Sequence, residues 1–174
     1  VSDEAVSERL RLIAKTTGAC LSPFDIWLLI RGIKTLAVRL NRQQETALKI
    51  VDWLLTQKQI KAVHYPGLPE HPGYEISKKQ ASGFGGMLSF ETDNKETAQQ
   101  LLERVSIIQY AESLGGVESL ITYPMLQTHA DIPREEREAR GINDCLLRLS
   151  VGLESADDLI EDLRQALTGG RTNV

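Results

Sequence analysis

The sequence predicts an α+β fold: an open, mainly antiparallel sheet of four strands, with helices packed on one face and long helices before it. Three observations support this fold class. The first third of the 174 residues has helical periodicity. The apolar pattern then changes to the alternation typical of strands, and the later strands are separated by short amphipathic helices. Hydrophobic residues make up 41% of the chain, which is enough for a folded core.

Two helices are predicted in the first 33 residues, each with local signals at its ends. The first covers residues 3–16, and Gly18 is expected to end it. The second begins with Ser22 as its N-cap and Pro23 in its first turn, where proline is well tolerated. Its apolar run Ile26–Ile30 is too short to cross a membrane and is expected to be buried.

A third, longer helix is expected from about Lys34 to Thr56, after a break at Gly32. Its apolar residues recur at helical spacing over most of its length, which predicts a heavily buried rod. These residues are Leu36, Val38, Leu40, Ala47, Ile50, Val51, Leu54 and Leu55.

Four later segments have strand character and are bounded by turn-forming residues. They are residues 60–68, 83–92, 106–113 and 145–154. Helices are expected between or after these strands: a short one at the end of the loop over residues 71–80, and others over residues 95–105, 134–141 and 155–167. The segment 123–133 is expected to be a long irregular connection, and the charged helix that follows it is expected to present a solvated face.

The last strand carries an arginine on the face opposite the core. Alternation places Leu147 and Leu149 on the core side and Arg148 on the other side, together with Ser150. A half-covered arginine needs an anionic partner, because burying its charge alone costs several kcal/mol. Its planar fork matches a carboxylate or a phosphate. Two partners are open at this stage: an acid of the same chain, or a bound ligand.

The stretch AESLGG, residues 111–116, is the second candidate for such a site. Ser113 offers a hydroxyl, and Gly115 and Gly116 allow close approach and expose backbone N–H groups. With Arg148, these groups are typical of a small carboxylate-binding pocket. Taken alone, they describe a glycine-rich turn with a capping serine equally well.

Charge and composition argue against several other classes of protein. The net charge of −4 is spread along the chain, which argues against a nucleic-acid partner and against a basic membrane anchor. Cys20 and Cys145 are expected to be buried small side chains rather than a disulfide framework. The three histidines lack metal-ligand spacing, so no metal site is expected. No secretory signal is visible, so the cytoplasm is the expected location.

Four segments follow one another between Gly18 and Leu167: SPFDIWLLIRGIKTLAVRL, YPGLPEHPGYEISKKQASGFGGMLSF, AESLGGVESLITYPMLQTHADIP and RLSVGLESADDLIEDL. Together they resemble the C-terminal part of the Cys/Met-metabolism enzymes, which depend on pyridoxal phosphate (PLP). The family includes cystathionine γ-synthase, cystathionine γ- and β-lyases and methionine γ-lyase. The resemblance implies the small C-terminal domain of fold-type I PLP enzymes.

The resemblance assigns roles to four residues of this chain. Arg148 is implied to bind the α-carboxylate of an amino-acid substrate, and Ser113 to lie beside that carboxylate. Glu112 is implied to face the distal end of the substrate, as in cystathionine γ-lyases and γ-synthases. Thr128 is implied to line the same region. No catalytic residue and no covalent attachment point for PLP is expected in this chain.

The resemblance also implies that a large PLP-binding domain lies outside this sequence. The family's Schiff-base lysine occurs in a segment that has no counterpart here, so the chain alone is expected to be inactive. Residues 1–33 are expected to be a helical connection from that domain, residues 34–168 the C-terminal α+β domain, and residues 169–174 a frayed tail. The whole enzyme is expected to be a homotetramer that holds PLP mainly through the large domain.

The function implied is that of a cystathionine lyase of transsulfuration. Cystathionine γ-synthase and O-acylhomoserine sulfhydrylase, which catalyse γ-replacement, are alternatives because they share the same motifs. A non-catalytic amino-acid-binding or dimerisation module is an alternative of another class. A lysine-bearing domain encoded directly before residue 1 would favour an enzyme over such a module.

Overall fold

The computed structural model describes residues 2–169, which form seven helices and five strands. The elements are α1 (Glu4–Thr17), α2 (Pro23–Ile33), α3 (Leu36–Leu54), β1 (Ile60–His64), α4 (Tyr74–Gln80), β2 (Met87–Thr92), α5 (Lys95–Arg104), β3 (Gln109–Tyr110), β4 (Leu120–Thr122), α6 (Arg134–Ala139), β5 (Leu146–Ser150) and α7 (Ala156–Thr168). The α+β class is therefore confirmed. Residues 169–174 are predicted to be a frayed tail. Gly169 ends α7 in a left-handed conformation, and residues 170–174 lie outside the described residues.

The chain divides into two compact units, with the boundary between Ala37 and Val38. The first unit contains α1 and α2, whose ends follow the local signals. Gly18 closes α1 with a φ of 66°, and the Ser22 hydroxyl accepts a hydrogen bond from the Asp25 N–H at the start of α2. The predicted domain boundary between residues 33 and 34 stays a prediction, because the compactness of the first unit does not show which domains its helices connect.

The expected burial of the apolar run in α2 is wrong. Trp27 is 54% exposed, and the other residues of Ile26–Ile30 are exposed as well. The first turn of α3 is also more open than predicted, since Val38 is 72% exposed. Cys20 is exposed too. Apolar periodicity identifies a face that can be buried, but it does not identify the surface that buries it.

The sheet has five strands in the order β1-β2-β5-β4-β3, and one pair is parallel. The prediction of four strands is therefore wrong in number, although the pairs β1–β2, β2–β5 and β4–β5 are antiparallel. The strand that was missed is β4. It has three residues, all buried, so it shows no alternation of apolar and polar side chains. β3 is shorter than predicted and pairs parallel with β4 across residues 111–119.

The core lies on one face of the sheet, between it and the helices. Leu147 and Leu149 of β5 are fully buried, as the alternation predicts. Leu88 and Phe90 of the neighbouring β2 point to the same side. The helical side of this core comes from the second half of α3, from α5 and from α7, and it consists of Ala47, Ile50, Val51, Leu54, Ala98, Leu101, Leu159, Leu163 and Ala166.

A buried carboxylate on α7 holds the chain segment that enters β3. Asp162 is 3% exposed. One of its oxygens accepts hydrogen bonds from the N–H and hydroxyl of Ser106, and the other accepts from the N–H groups of Ile107 and Ile108, all at 2.9–3.0 Å. The carboxylate thus accepts hydrogen bonds from the backbone N–H groups of three consecutive residues, as a neighbouring strand would do for some of them.

Candidate functional site

Arg148 lies at the middle of β5, on the face of the sheet opposite the core. Its register partners are Ser89 on β2 and Thr122 on β4, so short hydroxyl side chains flank it in the same row. The Arg148 side chain is half-buried. We call this side of the sheet, with Ser89, Thr122, Arg148 and Ser150, the Arg148 face.

The Arg148 guanidinium has no acid partner within residues 2–169. Its Nη2 donates a hydrogen bond to the Thr122 hydroxyl at 3.2 Å. Its Nε is buried and has no acceptor in the described part of the chain. A buried N–H without an acceptor is costly, so the described residues do not fully satisfy this guanidinium. The alternative of a salt bridge to an acid of residues 2–169 is therefore not what this structure shows.

The acid that β2 places on the Arg148 face is already engaged. Glu91 lies two residues along β2 from Ser89, and its carboxylate is 3.0 Å from His64 Nε2 and 3.1 Å from Asn143 Nδ2. Burial raises the pKa of Glu91, but the hydrogen bonds from His64 and Asn143 outweigh it, and the pKa lies below its usual value. Glu91 is thus an ionised group whose partners are His64 on β1 and Asn143 before β5.

The glycine-rich loop between β3 and β4 is fastened to the Arg148 face. The Gly115 N–H donates to the Ser150 hydroxyl at 2.8 Å, and the Gly116 carbonyl accepts from Gln43 Nε2 at 2.7 Å. Gly115 has a φ of 75°, which explains the glycine there. The expectation that Gly115 exposes a free N–H for a ligand is wrong, because Ser150 uses that group.

The end of this loop is held against the chain that follows β5. Leu153 N–H donates to the Val117 carbonyl at 2.8 Å, and Ser119 donates through its N–H and hydroxyl to the Glu154 carboxylate, both at 2.7 Å. A Cβ on Gly152 would stand 2.3 Å from the Val117 carbonyl oxygen. Any larger residue at 152 would therefore push the loop away from the Arg148 face.

Glu112 and Ser113 lie at the start of the loop, and both side chains are exposed. Neither side chain hydrogen-bonds to any other described residue. The residue before them is tied down: the Ala111 N–H donates to the Ile121 carbonyl at 3.1 Å, and its carbonyl accepts from the Thr122 hydroxyl at 3.0 Å. The Thr122 hydroxyl thus contacts both Arg148 and Ala111, the residue before Glu112.

Thr128 is half-buried, and its hydroxyl lies 2.7 Å from Nδ1 of the neighbouring His129. No hydrogen bond joins Thr128 to Arg148 among the described residues. The segment that carries Thr128 is braced by Arg137, whose Nη1 donates to the carbonyls of Met125 and His129 at 2.7 and 3.3 Å. The charged sequence around Arg137 predicts a solvated helix face. Arg137 is not part of such a face, because its guanidinium binds these two carbonyls.

Tyr123 is the tyrosine next to Thr122, and it is structural. Its side chain is buried, and its hydroxyl donates to the Asp144 carbonyl at 2.8 Å. Burial, together with the nearby charge of Asp144, raises the pKa of Tyr123 to about 12. The phenol therefore stays protonated near neutral pH and is held by the backbone.

Two residues that build the site were not predicted from the sequence, and neither was one contact of a third. Thr122 sits in the unrecognised strand β4, and Gln43 lies 73 residues before the glycine that it binds. Ser150 was placed on the correct face, but its contact with Gly115 was not foreseen. The apolar segment LIT, residues 120–122, is the one sequence signal for Thr122. Assigned as a strand beside β5, it would have placed Thr122 opposite Arg148.

The Arg148 face suits an anion such as the carboxylate end of an amino acid. It offers a guanidinium that pairs with no acid of residues 2–169, whereas every lysine of the chain is exposed. No lysine is therefore enclosed in a pocket where PLP could be attached. No group of three or more potential metal ligands occurs within the described residues. None of the helices formed by residues 2–169 is long and apolar enough to cross a bilayer.

Comparison with known proteins places this architecture in one enzyme family. The match to "Cys/Met metabolism PLP-dependent enzyme" covers residues 1–168. Cystathionine beta-lyase MetC of Bacillus subtilis (strain 168) is 48% identical over 167 residues, which cover 96% of this chain and 43% of that protein. The chain thus spans less than half the length of this relative.

Solved structures agree with the sequence relatives. Cystathionine gamma-lyase (CalE6) from Micromonospora echinospora has a TM-score of 0.90 and 42% identity, over 97% of this chain and 44% of that one. Cystathionine gamma-synthase from Xanthomonas oryzae pv. oryzae, in complex with cystathionine, has a TM-score of 0.88 and 43% identity, over 95% of this chain and 43% of that one. The chain therefore belongs to the Cys/Met metabolism family of PLP-dependent enzymes.

Proposed function

We propose that this chain is the substrate-carboxylate-binding part of a PLP-dependent carbon–sulfur lyase that cleaves cystathionine. The observation that carries the proposal is Arg148, a half-buried guanidinium with a buried Nε that has no acceptor and no acid partner within residues 2–169. The names of the relatives supply the substrate class, since cystathionine lyases of both the β and the γ type resemble this chain over almost its full length.

Arg148 would act by holding and orienting the substrate. Its planar fork pairs with both oxygens of a carboxylate, so it fixes direction as well as position. PLP, when bound, supplies the electron sink for the carbon chemistry. The task of Arg148 is to present the Cα–H bond at the angle that this chemistry requires, which is an orientation effect. The exposed Ser113 hydroxyl adds a hydrogen-bond donor beside the carboxylate, and we assign Thr128 to the edge of the same site.

The test separates recognition of the carboxylate from other binding. L-Alanine and ethylamine differ only in that carboxylate, so the ratio of their inhibition constants measures its contribution. In the full-length product of the gene that encodes this chain, we expect L-alanine to bind about 30-fold or more tightly than ethylamine, since truncating a hydrogen-bonded charge pair costs about 2–5 kcal/mol. In Arg148→Ala the ratio should fall close to one. A ratio that stays unchanged would remove Arg148 from the site.

Glu112 is the candidate for recognising the distal ammonium of cystathionine, because its carboxylate is exposed and unpaired among the described residues. Glu112→Gln should lower kcat/KM for cystathionine about two- to fivefold relative to S-methylcysteine, which lacks that ammonium, since an exposed ion pair contributes about 0.2–1 kcal/mol. Steady-state assays with both substrates measure this ratio. Glu118→Gln, on the same loop, is the matched control and should leave it unchanged.

Residues 1–33 are proposed to connect to a large PLP-binding domain and residues 34–168 to form the C-terminal domain of the enzyme. The 174-residue chain alone is then expected to have no lyase activity, since the segment that carries the family's Schiff-base lysine has no counterpart in this sequence. Incubation with PLP, borohydride reduction and mass spectrometry test this. A stoichiometric adduct on one lysine would contradict the expectation.

Gamma-replacement is the second candidate reaction, because a cystathionine gamma-synthase is among the similar structures. The full-length protein should therefore be assayed with cystathionine alone and with an O-acylhomoserine plus cysteine. Faster turnover of the second pair would favour a synthase over a lyase.

A further inference from the structure

Thr122 is a buried residue whose hydroxyl is fully committed to two groups of the site. Its side chain is 0% exposed, and it lies directly opposite Arg148 in the antiparallel pair β4–β5. The hydroxyl donates its single proton to the Ala111 carbonyl at 3.0 Å. Its lone pairs are then left to accept the hydrogen bond from Arg148 Nη2 at 3.2 Å.

We propose that Thr122 is the positioning residue for Arg148, and that it couples the direction of the guanidinium to the Glu112–Ser113 pair. This inference rests on the proposed role of Arg148 in binding a substrate carboxylate. Because Ala111 immediately precedes Glu112, one hydroxyl sets the spacing between the carboxylate-binding arginine and the residues assigned to the other parts of the substrate.

A neutral hydroxyl suits this position for an electrostatic reason. A carboxylate at residue 122 would pair with Arg148, neutralise its charge and compete with the substrate. A hydroxyl instead fixes the guanidinium through one hydrogen bond and leaves its positive charge for a ligand. Among the described residues, Thr122 is the one hydrogen-bond partner of the Arg148 side chain. Loss of this bond therefore leaves the guanidinium free to turn.

The shape of the side chain allows this role to be tested without disturbing the strand. Valine has the same branched shape as threonine and favours strands, but it has no hydroxyl. Serine keeps the hydroxyl and loses only a methyl group. Thr92 provides a matched control: it is equally buried on β2, and its hydroxyl donates to the Asn94 carbonyl at 2.7 Å, away from Arg148.

In the full-length protein, Thr122→Val should lower kcat/KM for cystathionine by about 10- to 100-fold, since a hydrogen bond to a charged group contributes about 1.5–3 kcal/mol. It should also reduce the preference for L-alanine over ethylamine. Thr122→Ser should restore most of both. Thr92→Val should leave the L-alanine preference unchanged, even if it lowers the unfolding temperature.

A double-mutant cycle shows whether Thr122 acts through Arg148. Adding Thr122→Val to Arg148→Ala should change kcat/KM less than about twofold, because the group that Thr122 positions is already gone. An equal loss in both backgrounds would overturn the inference, and so would an unchanged kcat/KM in Thr122→Val when Arg148→Ala is impaired. If Arg148→Ala itself has no effect, the proposed function fails, and the inference fails with it.

Discussion

Replacing Arg148 by alanine in the full-length protein should lower kcat/KM for cystathionine by about 100- to 1,000-fold. Removing one partner of a hydrogen-bonded charge pair costs about 2–5 kcal/mol, and each 1.36 kcal/mol corresponds to a factor of ten. KM should rise because binding is lost, and kcat should fall because the substrate is no longer held at the productive angle. Steady-state kinetics with cystathionine measure both.

Two further variants separate the charge of Arg148 from its shape. Arg148→Lys keeps the positive charge but not the planar fork, so it should recover only part of the lost rate. Arg140→Ala is the control: Arg140 is exposed at the C-terminal end of α6 and pairs with Glu136 of that helix, so kcat/KM should stay within about twofold of the parent. A near-normal kcat/KM in Arg148→Ala would contradict the proposed function.

Replacing Asp162 by alanine should destabilise the fold by about 3–5 kcal/mol. Asp162 is 3% exposed and accepts four hydrogen bonds from residues 106–108. Its removal leaves the buried Ile108 N–H and two partly buried N–H groups without acceptors, and a buried one costs about 1–3 kcal/mol before relaxation. Urea unfolding followed by circular dichroism measures the change, with an unchanged m-value expected if the native state stays compact.

Asp158→Ala is the matched control for Asp162, because both acids lie on α7 and Asp158 is exposed. Asp158 interacts with the first turn of its own helix, so its loss should cost at most about 1 kcal/mol. If Asp162→Ala lowers the free energy of unfolding no more than Asp158→Ala does, then Asp162 does not hold the segment that leads into β3. Asp162→Asn should fall between the two, since the amide keeps one acceptor oxygen.

The sequence predicted the parts of the fold that depend on neighbours along the chain. Gly18 ends α1 and Ser22 caps α2 because a left-handed C-cap and an N-cap hydrogen bond involve residues only a few positions apart. The alternation in β5 placed Leu147 and Leu149 in the core and Arg148 on the opposite face for the same reason. Helix and strand periodicities are local properties, so they can be read without a partner surface.

The sequence missed the features that depend on distant parts of the chain. β4 has three residues and no alternation, so it becomes visible only when it pairs with β5. The exposure of Trp27 could not be deduced either, because an apolar helix face does not reveal whether another surface covers it.

The sequence by itself determined the α+β class, the helix ends and the family, together with Arg148 as the group that faces away from the core. Only the tertiary structure decided that Thr122 holds Arg148, that Ser150 and Gln43 fasten the glycine-rich loop, and that no acid of residues 2–169 pairs with the guanidinium. The physical reason is that these contacts join residues 26 to 73 positions apart, and sheet pairing and helix packing bring them within hydrogen-bond distance.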